Sequence, residues 1–194
     1  MSTDTWLVAG LGNPGPGYAG NRHNVGQMVL DLLAGRVQGR FSSSKAQAVT
    51  LEGRLGVGGP RVVLAKPLTY MNLSGGPVAT LARFHDVAPD HVIVVHDEID
   101  IPANTVRLKL GGGEGGHNGL RDISKALGTK DYHRVRVGVG RPPGRQDPAD
   151  FVLRDFGAAE KKDLPFLLDD AADAVELLIS DGLLPAQQRF HPSK

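Results

Sequence analysis

The sequence predicts an α/β fold in which a twisted, mixed β-sheet carries helices on both faces. Short apolar runs typical of buried strands alternate with segments whose apolar residues recur at helical spacing. The segment Val106–Leu110 instead alternates apolar and basic residues, which indicates a half-exposed strand in a sheet that is not wholly parallel. Because the 194 residues contain neither an internal repeat nor a clear linker, we expect a single domain spanning residues 1–194.

Strands and helices alternate in the first half of the chain. Asn24 and Ser74 stand where each would cap a helix, since their side chains accept hydrogen bonds from first-turn N–H groups. Pro67 ends a strand because it lacks a backbone N–H. In chain order we expect a strand at 6–11, a helix after Asn24, weak strands and turns at 38–59, a strand at 61–66, a helix from Ser74 to Phe84 and a strand at 91–96.

The second half of the chain is expected to hold two strands with basic faces and two helices. Arg107 and Lys109 alternate with apolar residues in one strand, and Arg134 and Arg136 do so in the other. The expected order is a strand at 106–110, a helix at 120–127, a strand at 134–139, a loop at 141–145 and a closing amphipathic helix at 164–179 with a solvated acidic face.

Composition limits the function classes. The formal net charge is +1, but residues 105–145 carry nine Lys or Arg against three Asp or Glu, and residues 146–181 carry three against ten. The chain has no cysteine, which excludes thiol nucleophiles, disulfides and Cys-based zinc sites. No stretch reaches membrane-span length and the first residues lack a basic leader, so we expect a cytoplasmic protein without a membrane partner.

Residues 10–15, GLGNPG, match the dinucleotide-binding pattern G-x-G-x-x-G after a strand. In a nucleotide site the glycines open a helix whose N-terminus meets the pyrophosphate. Here Pro16 follows, no helical pattern begins before about residue 24, and Asp31 lies within the helix instead of after a second strand. The run therefore predicts a glycine turn that projects Asn13 from the strand end toward a polar ligand.

His23 precedes a helix and Asp97 ends a buried strand, and each has an ordinary structural interpretation as a cap or a turn former. Together they also allow a catalytic interpretation. A carboxylate that accepts from one ring nitrogen fixes the tautomer and raises the basicity of the other nitrogen. A histidine held in this way is a general base for water, and such a group contributes about 10²–10⁴-fold in rate.

A metal site is the alternative for the same part of the chain. Its ligands would come from the histidines and carboxylates His23, His96, Asp97, Glu98, Asp100 and His117. Strand alternation turns His96 and Glu98 away from Asp97, and no metal-ligand spacing such as H-E-x-x-H is present. A metal site is therefore the less favoured interpretation.

Polar loops and basic strands supply candidate binding groups. Asparagine in a loop usually serves a turn, but Asn13, Asn72 and Asn118 could line one cleft, bind peptide groups and stabilise an oxyanion. The basic faces of the strands at 106–110 and 134–139 are either solvated surface or, if the strands are adjacent, a phosphate-binding patch. Because few aromatic residues lie nearby, contact with a nucleic-acid backbone is favoured over base readout.

Three blocks of sequence resemble the bacterial-type peptidyl-tRNA hydrolase family and together extend over nearly the whole chain. They are GLGNPGPGYAGNRHNVG at 10–26, KPLTYMNLSG at 66–75, and HDEIDIP with KLGGGEGGHNGLRDI at 96–123. The resemblance implies a monomeric, single-domain α/β enzyme that hydrolyses the ester between a peptide and the tRNA 3′ ribose. It implies no metal and no cofactor, and peptidyl-tRNA as the partner.

The resemblance also implies roles for individual residues, carried over by motif position. His23 matches the catalytic base and Asp97 its partner. The substrate-binding positions match Asn13, Tyr18, Met71, Asn72 and Asn118, and the clamp on the tRNA 5′ phosphate matches Lys109 and Arg136.

Three residues depart from the family's pattern: Asn21 replaces a threonine, Tyr70 a phenylalanine and Glu114 a histidine. Glu114 adds negative charge near the implied phosphate path, and none of the three removes a catalytic group. Two rival functions stay open, namely an RNA-end or peptide-binding module without catalysis, and a metallohydrolase centred on His96 and its acidic neighbours.

Overall fold

A seven-stranded sheet, in the order β2-β3-β4-β1-β5-β7-β6, forms the centre of the molecule. The computed structural model describes residues 4–191, so the ends of the expected domain, 1–3 and 192–194, lie outside it. The strands are β1 Trp6–Gly10, β2 Ser42–Ser43, β3 Ala48–Arg54, β4 Arg61–Pro67, β5 Val92–Glu98, β6 Val106–Leu110 and β7 His133–Gly138. Strands β4, β1, β5 and β7 are parallel and the outer pairings are antiparallel, which confirms the predicted mixed sheet.

Helices cover both faces of the sheet, as the sequence predicts. The helices are α1 Val25–Arg36, α2 Gly75–Phe84, α3 Asn118–Leu127, α4 Pro148–Val152, α5 Ala158–Asp181 and α6 Leu183–Phe190. Apolar residues of α1, α4, α5 and α6 pack on one face, and those of α2 and α3 pack on the other. Helices α4 and α6 were not predicted from the sequence. No helix in the described range 4–191 is long and apolar enough to cross a membrane.

The glycines of the 10–15 run allow α1 to pack unusually close to the sheet. A Cβ on Gly26, in the first turn of α1, would lie 2.2 Å from the backbone oxygen of Val95 in β5. A Cβ on Gly10 would lie 2.4 Å from the backbone oxygen of Gly26. Because both positions lack a side chain, the 3₁₀ turn Arg22–Asn24 just before α1 reaches the carboxyl ends of the strands. The glycine run therefore has a packing role.

The C-terminal helix α6 protects the sheet edge at β6. Gln187 donates through Nε2 to the Leu108 carbonyl at 3.1 Å, and His191 Nε2 accepts from the Leu108 N–H at 3.0 Å. An open strand edge is a template for unwanted pairing, and these two side chains satisfy its backbone groups. The expectation that the amphipathic helix closes the chain is wrong, because α6 follows it.

The two predicted helix caps occupy the expected positions, but the capping hydrogen bonds predicted for their side chains are not formed. Asn24 and Ser74 stand at the N-cap positions of α1 and α2, but neither side chain makes a capping hydrogen bond. The Asn24 amide is bonded to the backbone of Asn13, and the Ser74 hydroxyl donates to the Met71 carbonyl. Each side chain connects its helix to a loop of the same strand-end region, which sequence spacing does not reveal.

The acidic face of α5 is more than a solvated surface. The Arg36 guanidinium of α1 donates to Asp169 at 2.7 Å and to Asp173 at 2.9 Å, and it also contacts Glu176. Networks of this kind are worth more than isolated surface ion pairs. The acidic residues therefore help to attach α5 to α1.

Gly26→Ala should destabilise the fold by about 1–3 kcal/mol, because the new methyl group would overlap the Val95 carbonyl. The matched control is Gly35→Ala in the same helix, where a Cβ meets no atom within 4 Å. That control should be neutral or stabilising by about 0.4–1 kcal/mol. Urea unfolding measures both, and equal stability of the two variants would contradict the close-packing interpretation.

Candidate active site

A cleft of about 440 Å³ opens at the carboxyl ends of the parallel strands, which is where ligands bind in open α/β sheets. The loop after β1, the turn after β4, the end of β5 and the start of α3 all reach it. Five of the residues predicted from the sequence line this cleft together with Met71: His23, Asp97, Asn13, Asn72 and Asn118. The tertiary structure therefore unites side chains that the sequence places far apart.

His23 and Asp97 form a hydrogen-bonded pair at the base of the cleft. Nδ1 of His23 lies 2.7 Å from Oδ2 of Asp97, whose side chain is only 3% exposed. Nε2 is on the other side of the ring, and no residue in the described range bonds to it. Burial lowers the pKa of His23, but the charge and hydrogen bond of Asp97 more than offset burial, so that pKa is raised above its ordinary value of 6.5.

His117 makes the second hydrogen bond to Asp97. Its Nε2 lies 2.8 Å from Oδ1 of Asp97, while its Nδ1 accepts from the N–H groups of Gly119 and Leu120 at 3.1 and 3.3 Å. Because Nδ1 is an acceptor, the proton is on Nε2, and the ring donates to Asp97. From the sequence, His117 was considered only as a metal ligand. Its place just before a helix, at the N-cap of α3, was the available signal.

The charges around Asp97 favour its ionised form. Burial raises the pKa of the Asp97 carboxyl, but His23 and His117 offset that effect and bring the pKa below its ordinary value. The neighbouring His96 behaves differently, since burial, reinforced by His117, lowers its pKa to about 3. His96 is therefore neutral and donates from Nδ1 to the Asp97 carbonyl at 2.7 Å. The cleft thus contains one buried anion held by two imidazoles.

The side chain of Asn13 is fixed by backbone groups on both sides. Its Oδ1 accepts from the Met71 N–H at 2.7 Å, and because an N–H can only donate, the amide orientation is determined. The Asn24 amide holds the Asn13 backbone, accepting from N–H at 3.0 Å and donating to C=O at 2.9 Å. The NH₂ group of Asn13 is left as a donor at the cleft.

The other predicted substrate-binding residues differ in their placement. Asn72 follows the buried Met71 in a 3₁₀ turn, and Asn118 is the first residue of α3; both are exposed at the cleft. Tyr18 does not line the cleft among the described residues. Its ring lies edge-on to Tyr70, with centroids 6.4 Å apart, and Tyr70 is the ring that borders the cleft. A direct contact of Tyr18 with a cleft ligand is therefore not part of this geometry.

An apolar wall that the sequence did not predict faces the asparagines. It consists of Ile99, Pro148, Ala149, Val152 and Leu153. Its helix α4 is attached to the residue next to His23, because Arg22 donates to the Phe151 carbonyl at 2.8 Å. The same guanidinium donates twice to Glu160, at 3.0 and 2.5 Å. Helix α4 has only five residues and follows a Pro-rich loop, so its apolar periodicity is too short to recognise in the sequence. The wall is therefore visible only from the three-dimensional contacts.

The basic residues of β6 and β7 project from one face of the strand pair. Arg107 is opposite Arg136 and Lys109 is opposite Arg134, so the predicted adjacency is observed. The half-exposed basic face predicted for β7 is wrong for Arg134, which is 0% exposed because the carbonyls of Gly113 and Lys130 and the ring of Tyr132 lie against its guanidinium. Arg136 donates to Glu98 at 3.1 and 3.0 Å, and Glu98 borders the cleft. Burial, with Arg134 and Arg136, lowers the pKa of Lys109.

Of the residues considered for a metal, His23, Asp97 and His117 bring their ligand atoms within 4.8 Å of one another in the described range. Both Asp97 oxygens already accept ring N–H groups in this arrangement. A metal would therefore have to replace the protons of two hydrogen bonds, which makes the set a poor fit for a cation.

Asn21 and Glu114, two of the residues that depart from the family's pattern, each form side-chain contacts within the protein. Asn21 donates from Nδ2 to Asp155 at 2.7 Å, which ties the turn before His23 to the segment after α4. Glu114 accepts from the Ser124 hydroxyl at 3.2 Å and lies 3.5 Å from Lys130. Its negative charge is thus directed at α3 and the loop after it.

The fold and the cleft define a single-domain α/β protein with a histidine–carboxylate pair set among amide side chains. The model of the family described as peptidyl-tRNA hydrolase matches residues 7–194. The chain therefore belongs to the peptidyl-tRNA hydrolase family, which confirms the resemblance carried by the three sequence blocks. It is a hydrolase that acts on an ester bond.

Individual relatives agree with this assignment. The peptidyl-tRNA hydrolase of Pseudarthrobacter chlorophenolicus is 76% identical over 192 residues, covering 99% of this chain and 98% of the relative. That of Kineococcus radiotolerans is 65% identical, with coverages of 97% and 98%. The crystal structure of peptidyl-tRNA hydrolase from Acinetobacter baumannii has a TM-score of 0.90 at 34% identity, covering 100% of this chain and 98% of that one.

Proposed function

We propose that this protein hydrolyses the ester between a peptide, or an N-blocked aminoacyl group, and the 3′ ribose of tRNA. Family membership supports the substrate class. The observation that carries the mechanism is the 2.7 Å contact between His23 Nδ1 and Asp97 Oδ2 inside the cleft. The released tRNA and peptide would be recycled after abortive translation, which is a cytoplasmic task, and the protein would act as a monomer without a cofactor.

The reaction begins with a water molecule at Nε2 of His23. Asp97 accepts the Nδ1 proton of His23, which leaves Nε2 as the basic nitrogen facing the cleft. As the water oxygen attacks the ester carbonyl, Nε2 takes one of its protons. The C–O bond to ribose then breaks, and the proton on Nε2 passes to the departing 3′ oxygen. The products are a free carboxyl group and a free ribose hydroxyl.

Amide groups bind the peptide and the developing oxyanion. The NH₂ group of Asn13 is available because its oxygen is committed to Met71. Asn72 and Asn118 are exposed at the cleft, where they are suited to the peptide group and to the attacking water. Such neutral donors stabilise negative charge that forms only in the transition state, and each is typically worth about 10²–10³-fold in rate.

Lys109 and Arg136 are proposed to hold the 5′ phosphate at the end of the tRNA acceptor stem. They lie on adjacent strands and project from the same face, outside the cleft. Lys109 uses one N–H on a backbone carbonyl, and Arg136 uses Nε and Nη2 on Glu98. Each cation therefore keeps donors for a phosphate. Backbone phosphate contacts of this kind supply affinity and position the substrate.

His23→Ala should lower turnover of a purified N-acetylaminoacyl-tRNA by about 10²–10⁴-fold, because the general base is removed. The control is His91→Ala, at the other end of β5, which should retain wild-type turnover. Release of the acyl group measures both. A module that only binds would show no cleavage in the wild type, and near-equal rates for wild type and His23→Ala would remove the general-base assignment.

The rate should fall at acid pH, because a general base works only in its neutral form. Since the pKa of His23 is raised, the acid inflection of kcat/KM should lie above pH 6.5. In Asp97→Asn the effect of burial remains and the carboxylate is gone, so the inflection should move to lower pH while turnover drops by about 10²–10⁴-fold. An unmoved inflection in this variant would mean that another group titrates.

Exhaustive chelation should leave turnover unchanged, because Asp97 is committed to two imidazole N–H groups. The measurement compares enzyme dialysed against a strong chelator with the same enzyme after addition of zinc or manganese. Loss of activity on chelation that metal restores would favour the rival metallohydrolase, with His23, Asp97 and His117 as ligands instead of the His96 cluster that the sequence suggested.

A further inference from the structure

The carbonyl of Gly113, in the middle of the glycine-rich loop 111–117, accepts hydrogen bonds from two cations. Nη1 of Arg134 lies 2.6 Å away and Nζ of Lys109 lies 2.9 Å away. Hydrogen bonds from charged donors are roughly twice as strong as neutral ones. This carbonyl is therefore a firm attachment point between the loop and the strand pair β6–β7.

Arg134 is placed to hold the glycine-rich loop against the segment that follows α3. It is 0% exposed, so it cannot touch a substrate, and its Nη2 donates to the Lys130 carbonyl at 3.2 Å. Its Nε has no partner in the described range, and its guanidinium lies over the Tyr132 ring at 4.5 Å. Burying a cation is costly unless it is hydrogen-bonded. A buried arginine that bonds one carbonyl of the glycine-rich loop and one carbonyl of the segment after α3 indicates that the position of the loop against that segment matters.

The loop has few other constraints. Four of its glycines, Gly111, Gly112, Gly115 and Gly116, have positive φ angles of 71°, 88°, 59° and 79°. Most of the loop is exposed and offers little side-chain packing. Glycine loses more chain entropy on ordering than any other residue. Gly111 at one end donates to the Tyr132 carbonyl at 3.1 Å and His117 at the other end is bonded to Asp97, so the contacts to Gly113 and Glu114 fix the middle of the loop.

The loop ends at the residue that orients the catalytic carboxylate. His117 donates to Asp97 Oδ1 at 2.8 Å, and Asp97 holds His23. Gly113 is thus connected to Asp97 through the four residues that lead to His117 and through one hydrogen bond, so a displacement of Gly113 can reach the carboxylate. Lys109, at the other end of this connection, is the proposed phosphate ligand, and its ammonium group has further N–H donors after bonding Gly113.

We propose that Arg134 is a positioning residue for the reaction, and that Lys109 couples the tRNA 5′ phosphate to the catalytic pair through the Gly113 carbonyl. Arg134 holds the loop at all times. A phosphate that fixes the Lys109 ammonium fixes the loop from the second side, and so orients His117 and Asp97. This inference rests on the proposed function, since it takes the phosphate contact of Lys109 from there.

The test compares one N-acetylaminoacyl-tRNA with and without its 5′ phosphate. In the wild type kcat should be nearly the same on both, because Arg134 already holds the loop. In Arg134→Met the loop depends on Lys109, so kcat should fall roughly tenfold further on the dephosphorylated substrate than on the phosphorylated one, the value of one charge-assisted hydrogen bond. A merely structural role for Arg134 would lower both rates equally, and that result would overturn the proposal.

Three further variants extend the test. In Arg134→Met combined with Lys109→Met, the preference in kcat for the phosphorylated substrate should disappear. The matched control is Arg36→Met, which removes a half-buried arginine and its ion pairs on the far side of the sheet and should create no such preference. Arg134→Lys provides a charged replacement if Arg134→Met does not fold. A preference that survives in the double variant would contradict the coupling.

Titration of the wild type with inorganic phosphate, followed by NMR, tests the coupling without turnover. The amide signals of residues 113–117 should shift in step with the signals of Lys109. Amide signals that stay unmoved while Lys109 responds, or no response of Lys109 at all, would overturn the coupling. Failure of the wild type to hydrolyse either tRNA would instead count against the proposed function, because the titration does not depend on hydrolysis.

Discussion

The buried carboxylate of Asp97 is the constraint on which the site depends. An ion at 3% exposure is destabilising unless its oxygens are bonded, and each oxygen here accepts one imidazole N–H. The two rings come from opposite sides of the cleft, His23 from the turn before α1 and His117 from the start of α3. Satisfying one anion therefore fixes the relative position of two segments and leaves Nε2 of His23 directed at the cleft.

His23 reaches Asp97 because glycines, which have no side chain, stand where helix α1 meets the sheet. The backbone of α1 at Gly26 lies against β5, where a methyl group would be 2.2 Å from the Val95 oxygen. In this arrangement the Asn24 side-chain amide makes two hydrogen bonds to the backbone of Asn13. The glycine run after β1, which resembles a nucleotide-binding fingerprint, thus serves helix–sheet packing and the placement of two polar side chains.

The glycine-rich loop extends the same network toward the basic strands. Gly113 is attached to Lys109 and Arg134, and the loop ends at His117, so cationic and catalytic groups share one segment of backbone. Exposed and buried arginines look alike in sequence; Gly113, Lys130 and Tyr132 cover Arg134, whereas Arg136 on the same strand stays partly exposed. His96, the residue before Asp97 in β5, is neutral and therefore adds no positive charge beside the carboxylate.

Residue order alone was enough to predict the alternation of strands and helices, the mixed sheet and the family, because local periodicity and three contiguous motifs carry that information. It also supplied the catalytic pair, the three asparagines and Met71 of the cleft, since their motifs are local. Long-range packing was needed to show which nitrogen of His23 meets Asp97, that His117 is the second donor, that Tyr18 is edge-on to Tyr70 and that α4 lines the cleft. These features are contacts between residues that are far apart in the chain, 74 positions in the case of His23 and Asp97. They depend on how closely the helices pack on the sheet, which no local pattern specifies.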